Sequence, residues 1–155
     1  AYPEKVIPLF ITNLIDGRPT PVYGQGLQVR DWLYVNDHCA AIFFLTQHGE
    51  NGEVYNVGGG QEITNIDLTY KLLDFMGYGK EMVDFVNDRP GHDFRYSLNT
   101  EKLKTLGWTP DVNLDDGLEK TIKWYQSNMK WWRSLKDNLD RRFVTGYWGR
   151  KETDR

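Results

Sequence analysis

At 155 residues and 18.2 kDa, with 39% apolar and 26% charged side chains, the chain has the make-up of one globular domain or a piece of a larger one, not of a fibrous or disordered protein. A mean hydropathy of −0.63 and a longest strongly apolar run at Ala40–Leu45 leave nothing near the roughly 20 residues of a membrane-spanning helix. A net charge of −3 gives no reason to expect nucleic acid as a partner, and the single cysteine, Cys39, excludes an internal disulfide and a Cys-x-x-Cys zinc or redox site.

Val6, Phe10 and Leu14 recur at i+4 beside Ile7, Ile11 and Ile15, which predicts a helix over 4–16 with both flanks buried and Gly17 as its stop. Pro19 and Pro21 lead into a short strand at Val22–Tyr23, followed by the Gly24-Gln25-Gly26 turn and an extended run from Gln28 to Val35. Asn36 is expected to cap a helix over 37–47, whose Ala40–Leu45 stretch is apolar nearly all round and predicts deep packing. Val54–Val57 reads as a short buried strand ending at Gly58-Gly59-Gly60, and Thr64 or Asn65 as the cap of a helix carrying Ile66, Tyr70, Leu73 and Met76 up to Gly77. An extended Met82–Val86, the loop Asp88-Arg89-Pro90-Gly91-His92-Asp93, and a strand around Arg95–Leu98 come next. Asn99 is expected to cap a short helix to Leu106, and a last helix after Asn113 carries Leu114, Leu118, Ile122, Tyr125 and Met129 on one face. The fold class is mixed α/β, with about five helices and several short strands.

Beyond Trp132 the apolar period fades. Residues 133–155 hold 7 basic and 4 acidic side chains, whereas 1–132 hold 12 and 18, so the division expected is a body at 1–132 and a basic C-terminal extension at 133–155. Six Trp and nine Tyr are a large payload for a small core and suggest a chain that also packs against something else. The lone cysteine, and an opening with no basic stretch followed by an apolar one, fit a cytoplasmic protein.

Several standard sites are absent by inspection. Gly24-Gln25-Gly26 leads into a strand, whereas a dinucleotide fingerprint needs a third glycine opening a helix, and Gly58-Gly59-Gly60 fails the same requirement. There is no P-loop, no His-Glu-x-x-His and no Gly-x-Ser-x-Gly, and no metal site is expected. Tyr147 and Lys151 have Tyr-x-x-x-Lys spacing, but Gly146 and Gly149 argue against the helix that would align them.

What remains is a set of separated polar residues. Arg30 and Arg89 stand in strand-end and loop contexts, and Pro90 and Gly91 stiffen and shape the second loop. Two guanidinium forks suit a diphosphate held from two sides, with Lys5 as a further point charge. Asn65 and Tyr23, the latter beside Pro21, suit a ribose hydroxyl and the face of a base. On spacing alone the alternative is ordinary ion pairing, Arg30 with Asp31 or Asp37 and Arg89 with Asp88 or Asp93.

The runs Pro3-Glu4-Lys5-Val6-Ile7-Pro8, Pro21-Val22-Tyr23-Gly24-Gln25-Gly26, Arg30-Asp31-Trp32-Leu33-Tyr34-Val35-Asn36-Asp37-His38, Tyr55-Asn56-Val57-Gly58-Gly59 and Asp88-Arg89-Pro90-Gly91-His92-Asp93 resemble, in this order, the dTDP-glucose 4,6-dehydratases. These belong to the extended short-chain dehydrogenase/reductase family of nucleotide-sugar enzymes. The resemblance covers residues 2 to about 132 and implies the C-terminal, substrate-binding portion of that fold, without its N-terminal Rossmann half. It implies an NAD-dependent lyase of rhamnose-type deoxysugar biosynthesis, a homodimer in the parent. That enzyme oxidises the glucosyl C4, eliminates water across C5 and C6, and returns the hydride to C6, giving dTDP-4-keto-6-deoxyglucose. Carried residue by residue, the resemblance sets Lys5 and Val6 along the nucleotide, Pro21 and Tyr23 near thymine, Arg30 and Arg89 on the diphosphate, and Asn65 and His92 on further nucleotide contacts. Val6 departs mildly from the family's usual leucine.

The resemblance starts about halfway into a family member, so the Gly-rich NAD loop, the Tyr-x-x-x-Lys pair and the acidic pair for elimination are implied to lie in a segment outside this chain. The chain as given is then expected to bind the nucleotide sugar without catalysing, and its helices 4–16 and 37–47 to offer apolar surface to the Rossmann half. Another NAD-dependent nucleotide-sugar epimerase or dehydratase, and a non-catalytic binding or interaction module, are the alternatives.

Overall fold

The periodic run that opens the chain forms α1 (Val6–Ile15), the first element of a computed structural model that describes residues 4–143. Phe10, Ile11 and Leu14 are buried, and Val6, Ile7, Leu9 and Ile15 pack half-covered against the same core. Both flanks therefore face protein, as their spacing requires. The chain reverses at Gly17, and β1 (Thr20–Tyr23) returns beside α1, burying Thr20 and Val22 while Pro21 and Tyr23 share the other, half-buried face.

Two small sheets follow from the remaining strands. β2 (Val29–Asp31) pairs antiparallel with β3 (Glu62–Thr64), with Arg30 opposite Ile63. β4 (Val83–Val86) pairs in parallel with β1, which sets Tyr23 opposite Val86 at the end where the Asp88 loop begins. Between them run α2 (Val35–His48) and α3 (Asn65–Met76), and after β4 come α4 (Glu101–Leu106), α5 (Leu114–Ser127) and α6 (Met129–Phe143). Phe10 and Ile11 of α1, Val22 of β1, Leu68 and Leu72 of α3, and Leu118 and Ile122 of α5 form one core cluster. The described residues thus hold six α-helices and four strands, one helix more than the sequence predicts.

Cap chemistry sets the helix ends where a side chain can reach. Thr64 Oγ1 accepts from the Asp67 amide at 3.1 Å to start α3, and Gly77, at φ 75°, ends it. Asn113 Oδ1 accepts from the Asp116 amide at 2.9 Å to start α5.

Elsewhere the structure corrects the sequence reading. α2 starts at Val35 with Tyr34 as an N-cap that makes no side-chain bond, so Asn36 lies inside the first turn. Nor is α2 deeply packed: Ala41 and Asp37 are buried, but Ile42 is 53% and Phe43 65% exposed. Of the two helices expected to offer apolar surface, α2 exposes large apolar side chains, whereas on α1 Val6, Ile7, Leu9 and Ile15 are half-buried. Val54–Val57 forms no strand, and Val54 is 79% exposed, because no neighbouring backbone among the described residues pairs with it. Arg95–Leu98 makes one bridge to Val29 rather than a strand. Thr100, not Asn99, is the N-cap of α4, and the Asn99 side chain accepts one residue further on, from the Glu101 amide. The buried face of α3 is Leu68, Thr69, Leu72 and Leu73, while Ile66, Tyr70 and Met76 are half-exposed. No helix among the described residues is long and apolar enough to cross a membrane.

The division drawn at residue 132 falls inside α6. Trp132 is buried and its indole N–H donates to the Tyr125 carbonyl at 2.8 Å. One turn on, Lys136 is only 4% exposed, and its ammonium donates to Asn13 Oδ1 and Asp16 Oδ2, both at 2.9 Å, at the far end of α1. A hydrophobic period fades here because an ion pair, not an apolar side chain, makes the contact. Tyr147 and Lys151 lie outside the described residues.

Burial alone would raise the Asp16 pKa, but the hydrogen bond and charge of Lys136, with the charges of Arg133 and Arg18, outweigh it and hold this carboxyl below its ordinary value. A depressed carboxyl stabilises the fold above its unfolded pKa, about 3.9, and loses that contribution as pH falls through the folded value. Lys136→Met is expected to cost about 1–2 kcal/mol at pH 7, less than a wholly isolated buried charge because Arg133 remains beside Asp16. In urea melts the difference from the wild-type chain should shrink below about pH 3.9. A difference independent of pH would mean that lost packing, not the ion pair, holds α6.

Candidate functional site

Asp88, just after β4, is the hub of the region in which most of the candidate residues gather. Its Oδ1 accepts from the Arg89 amide at 2.8 Å and from His92 Nδ1 at 2.6 Å, and its Oδ2 accepts from Gln28 Nε2 at 2.7 Å. Because a carboxylate only accepts, His92 carries its proton on Nδ1 and turns Nε2 away from Asp88. Desolvation pushes the Asp88 pKa up, but the hydrogen bonds from His92, the Arg89 amide and Gln28 prevail and hold it below the usual carboxylate range. The Asp-Arg-Pro-Gly-His-Asp loop is thus folded around its own first residue.

His92, its side chain only 8% exposed, meets Tyr23 edge-on with ring centroids 5.6 Å apart. This joins the loop to the end of β1, where Tyr23 and Pro21 share a face. Gly24 and Gly26 make the turn that follows. A Cβ at Gly26 would stand 2.8 Å from Val22 Cγ1 and 2.9 Å from Ile66 Cβ, so the start of α3 closes directly over that turn. The Asn65 and Ile66 amides donate to the carbonyls of Gln28 and Gly26, both at 2.9 Å, and Asn65 Oδ1 is buried with no partner among the described residues.

Arg30 does not form the carboxylate pair that its neighbours in sequence allow. Its guanidinium donates to the carbonyls of Val29 at 2.7 Å and Asp93 at 2.8 Å and lies 4.3 Å from the centroid of the Tyr96 ring. Asp31 accepts instead from the Gly59 and Gln61 amides, and Asp37 from the Val112 amide. Arg89 is exposed, and its guanidinium has no hydrogen bond or ion pair among the described residues. The two arginines share one neighbourhood: Asp93, hydrogen-bonded to the Tyr96 hydroxyl, pushes that phenol above its ordinary pKa, helped by desolvation and opposed by the charges of Arg30 and Arg89.

Lys5 and Val6 stand apart from this cluster, at the start of α1. Lys5 is exposed, and its side chain has no hydrogen bond or ion pair among the described residues. Since β1 returns along α1, this helix start lies toward the Tyr23 end of β1. The Val6 side chain packs on the core, so a free first-turn amide is what that position can offer a ligand. Asp88, Gln28 and Tyr96 are the residues that sequence reasoning missed. An Asp before Arg-Pro-Gly is a turn former whose side chain caps nearby amides, which would have singled out Asp88; nothing local marks Gln28.

The described residues do not form a dinucleotide pyrophosphate site for NAD. That site needs a glycine loop opening onto a helix. Here the space at Gly26 is filled by Val22 and Ile66, Gly24 faces the Asp88 side chain, and Gly77-Tyr78-Gly79 ends α3 and leads only into a three-residue 3-10 turn before β4. What the cluster can do is hold an anion flanked by an aromatic ring system. One guanidinium is fixed by carbonyls, the other is free to turn, and the Tyr23–His92 pair lies at the side.

The family model described as GDP-mannose 4,6 dehydratase matches residues 1–121. The chain is 54% identical over 136 residues to a dTDP-glucose 4,6-dehydratase of Streptomyces niveus, covering 87% of this chain and 40% of that protein. Among solved structures, DesIV, a dTDP-glucose 4,6-dehydratase of Streptomyces venezuelae with NAD bound, superposes with a TM-score of 0.83 at 48% identity, covering 86% of this chain and 42% of that one. A UDP-glucose 4-epimerase of Thermotoga maritima with UDP-glucose superposes with a TM-score of 0.75 at 32% identity, covering 81% and 40%. The chain therefore spans about 40% of the length of the relatives it matches.

Proposed function

We propose, for a chain that belongs to the GDP-mannose 4,6 dehydratase family and has the extended short-chain dehydrogenase/reductase fold, that it is the nucleotide-sugar-binding portion of a dTDP-glucose 4,6-dehydratase. The whole enzyme converts dTDP-glucose to dTDP-4-keto-6-deoxyglucose and water, with NAD held by a Rossmann half outside these residues. The enzyme is cytoplasmic and homodimeric. In this reading Arg30 and Arg89 bind the diphosphate, Tyr23 and Pro21 the thymine, and Asn65, His92, Lys5 and Val6 the remaining contacts. The observation that carries it is the convergence of Arg30, Arg89, Tyr23, His92 and Asn65, drawn from separate stretches of sequence, around the Asp88 hub. The exposed Ile42 and Phe43 of α2 are the surface that packs on the Rossmann half.

The epimerase likeness favours a second reading, a site for uridine rather than thymidine diphosphate sugars. Titration calorimetry of the 155-residue chain with dTDP-glucose, UDP-glucose and GDP-mannose separates the two. dTDP-glucose is expected to bind at least about tenfold more tightly than either competitor, a difference of about 1.4 kcal/mol. UDP-glucose binding tightest would move the chain to the epimerase reading. Binding of none would sink both.

A further inference from the structure

Gln28, at the approach to β2, touches three parts of the site without being among the candidate ligands. It is 7% exposed. Its main-chain carbonyl takes the Asn65 amide, its side-chain Nε2 donates to Asp88, and it stands two residues before Arg30. The amide can be oriented only one way, since the Asp88 carboxylate has no proton to give and must receive Nε2–H. Oε1 is thereby turned into the protein, where it is buried without a partner among the described residues. A buried polar side chain left half-satisfied is a poor choice for stability, since an apolar side chain of the same shape avoids the stranded acceptor.

Resting on the nucleotide-sugar reading above, we infer that Gln28 is a positioning residue that fixes Asp88, and through it the Arg89 amide and His92, against the start of α3. It acts as the strut between the two halves of the diphosphate site. Without it Asp88 keeps only partners from its own loop, His92 and the Arg89 amide, so the loop could still close on itself and Arg30 would still hold the Asp93 carbonyl, but the tie from Asp88 to the segment that pairs with Asn65 would be lost. The charged and titratable groups around Asp88 are His92 and Arg89 from its own loop and Tyr23, which meets His92 from β1.

Two substitutions in the full 155-residue chain test this. Gln28→Met keeps shape and removes both polar atoms; its melting temperature is expected to stay within about 2 °C of wild type. Exchange of the Arg89 amide proton, followed by NMR, should become about tenfold faster or more, and dTDP affinity about tenfold weaker. Gln28→Glu sets a second carboxylate against Asp88, and the two repel wherever both are ionised. Its dTDP affinity, relative to wild type at the same pH, should recover below about pH 5, where the introduced carboxyl is protonated and again donates to Asp88.

Wild-type exchange and affinity in Gln28→Met would overturn the inference, as would stability, exchange and affinity falling together, which marks a general structural role. If the wild-type chain fails to bind dTDP while Arg89 exchange still depends on Gln28, the nucleotide reading fails and the positioning role stands.

Discussion

Arg89→Ala is expected to weaken dTDP binding by about 2 kcal/mol or more, roughly 30-fold, and to leave the melting temperature unchanged. Both halves of that expectation come from the same observation. The guanidinium is exposed and has no hydrogen bond or ion pair among the described residues, so its removal strands no protein group. The loop itself is held by the Arg89 main-chain amide on Asp88, which alanine keeps. Arg30→Ala is the contrasting control: its guanidinium ties the carbonyls of Val29 and Asp93 and covers Tyr96, so binding and stability should fall together. Calorimetry paired with thermal melts reads both variants. The Arg89 effect should also shrink as salt is raised, since an exposed charge on a diphosphate is screened. Unchanged affinity in Arg89→Ala would remove this residue from the site.

The parts of this fold that could be read from sequence are those whose causes are local. α1 and α5 follow from apolar spacing, and the Thr64 and Asn113 caps from a hydroxyl or amide facing an amide three residues on. α2 shows the limit: its apolar make-up is plain, but whether Ile42 and Phe43 meet protein depends on what lies opposite, which no local pattern contains. The same holds for Val54–Val57, a strand in composition with no pairing strand among the described residues. In the site, the ligand-facing candidates came from residue type and motif. Their framework did not, because Gln28 and Asp88 are 60 positions apart and the Arg30 guanidinium reaches the Asp93 carbonyl across 63. Weighing ion pairs by nearness in sequence also misjudged Arg30, whose neighbours Asp31 and Asp37 are already engaged by backbone amides.

Gly59→Ala is expected to destabilise the chain by about 3 kcal/mol or more, the largest effect of a methyl added at any of the described glycines. A Cβ there would overlap the Trp32 carbonyl oxygen and stand 2.8 Å from its carbon and 3.3 Å from the Leu33 Cα, all main-chain atoms with no rotamer to escape into. The segment cannot simply drift away. The Gly59 and Gln61 amides donate to the Asp31 carboxylate at 3.0 and 2.8 Å, and the Trp32 amide donates to the Gln61 carbonyl, so the glycine run is clamped to the end of β2. Pushing it off breaks those bonds and leaves Asp31, beside Arg30, without its partners, so dTDP affinity should fall with stability. Gly60→Ala calibrates the result: Gly60 has open space around it but a φ of 65°, and the left-handed backbone alone should cost about 1 kcal/mol. If urea melts show Gly59→Ala no less stable than Gly60→Ala, the close approach of this segment to β2 is not what holds the Arg30 strand in place.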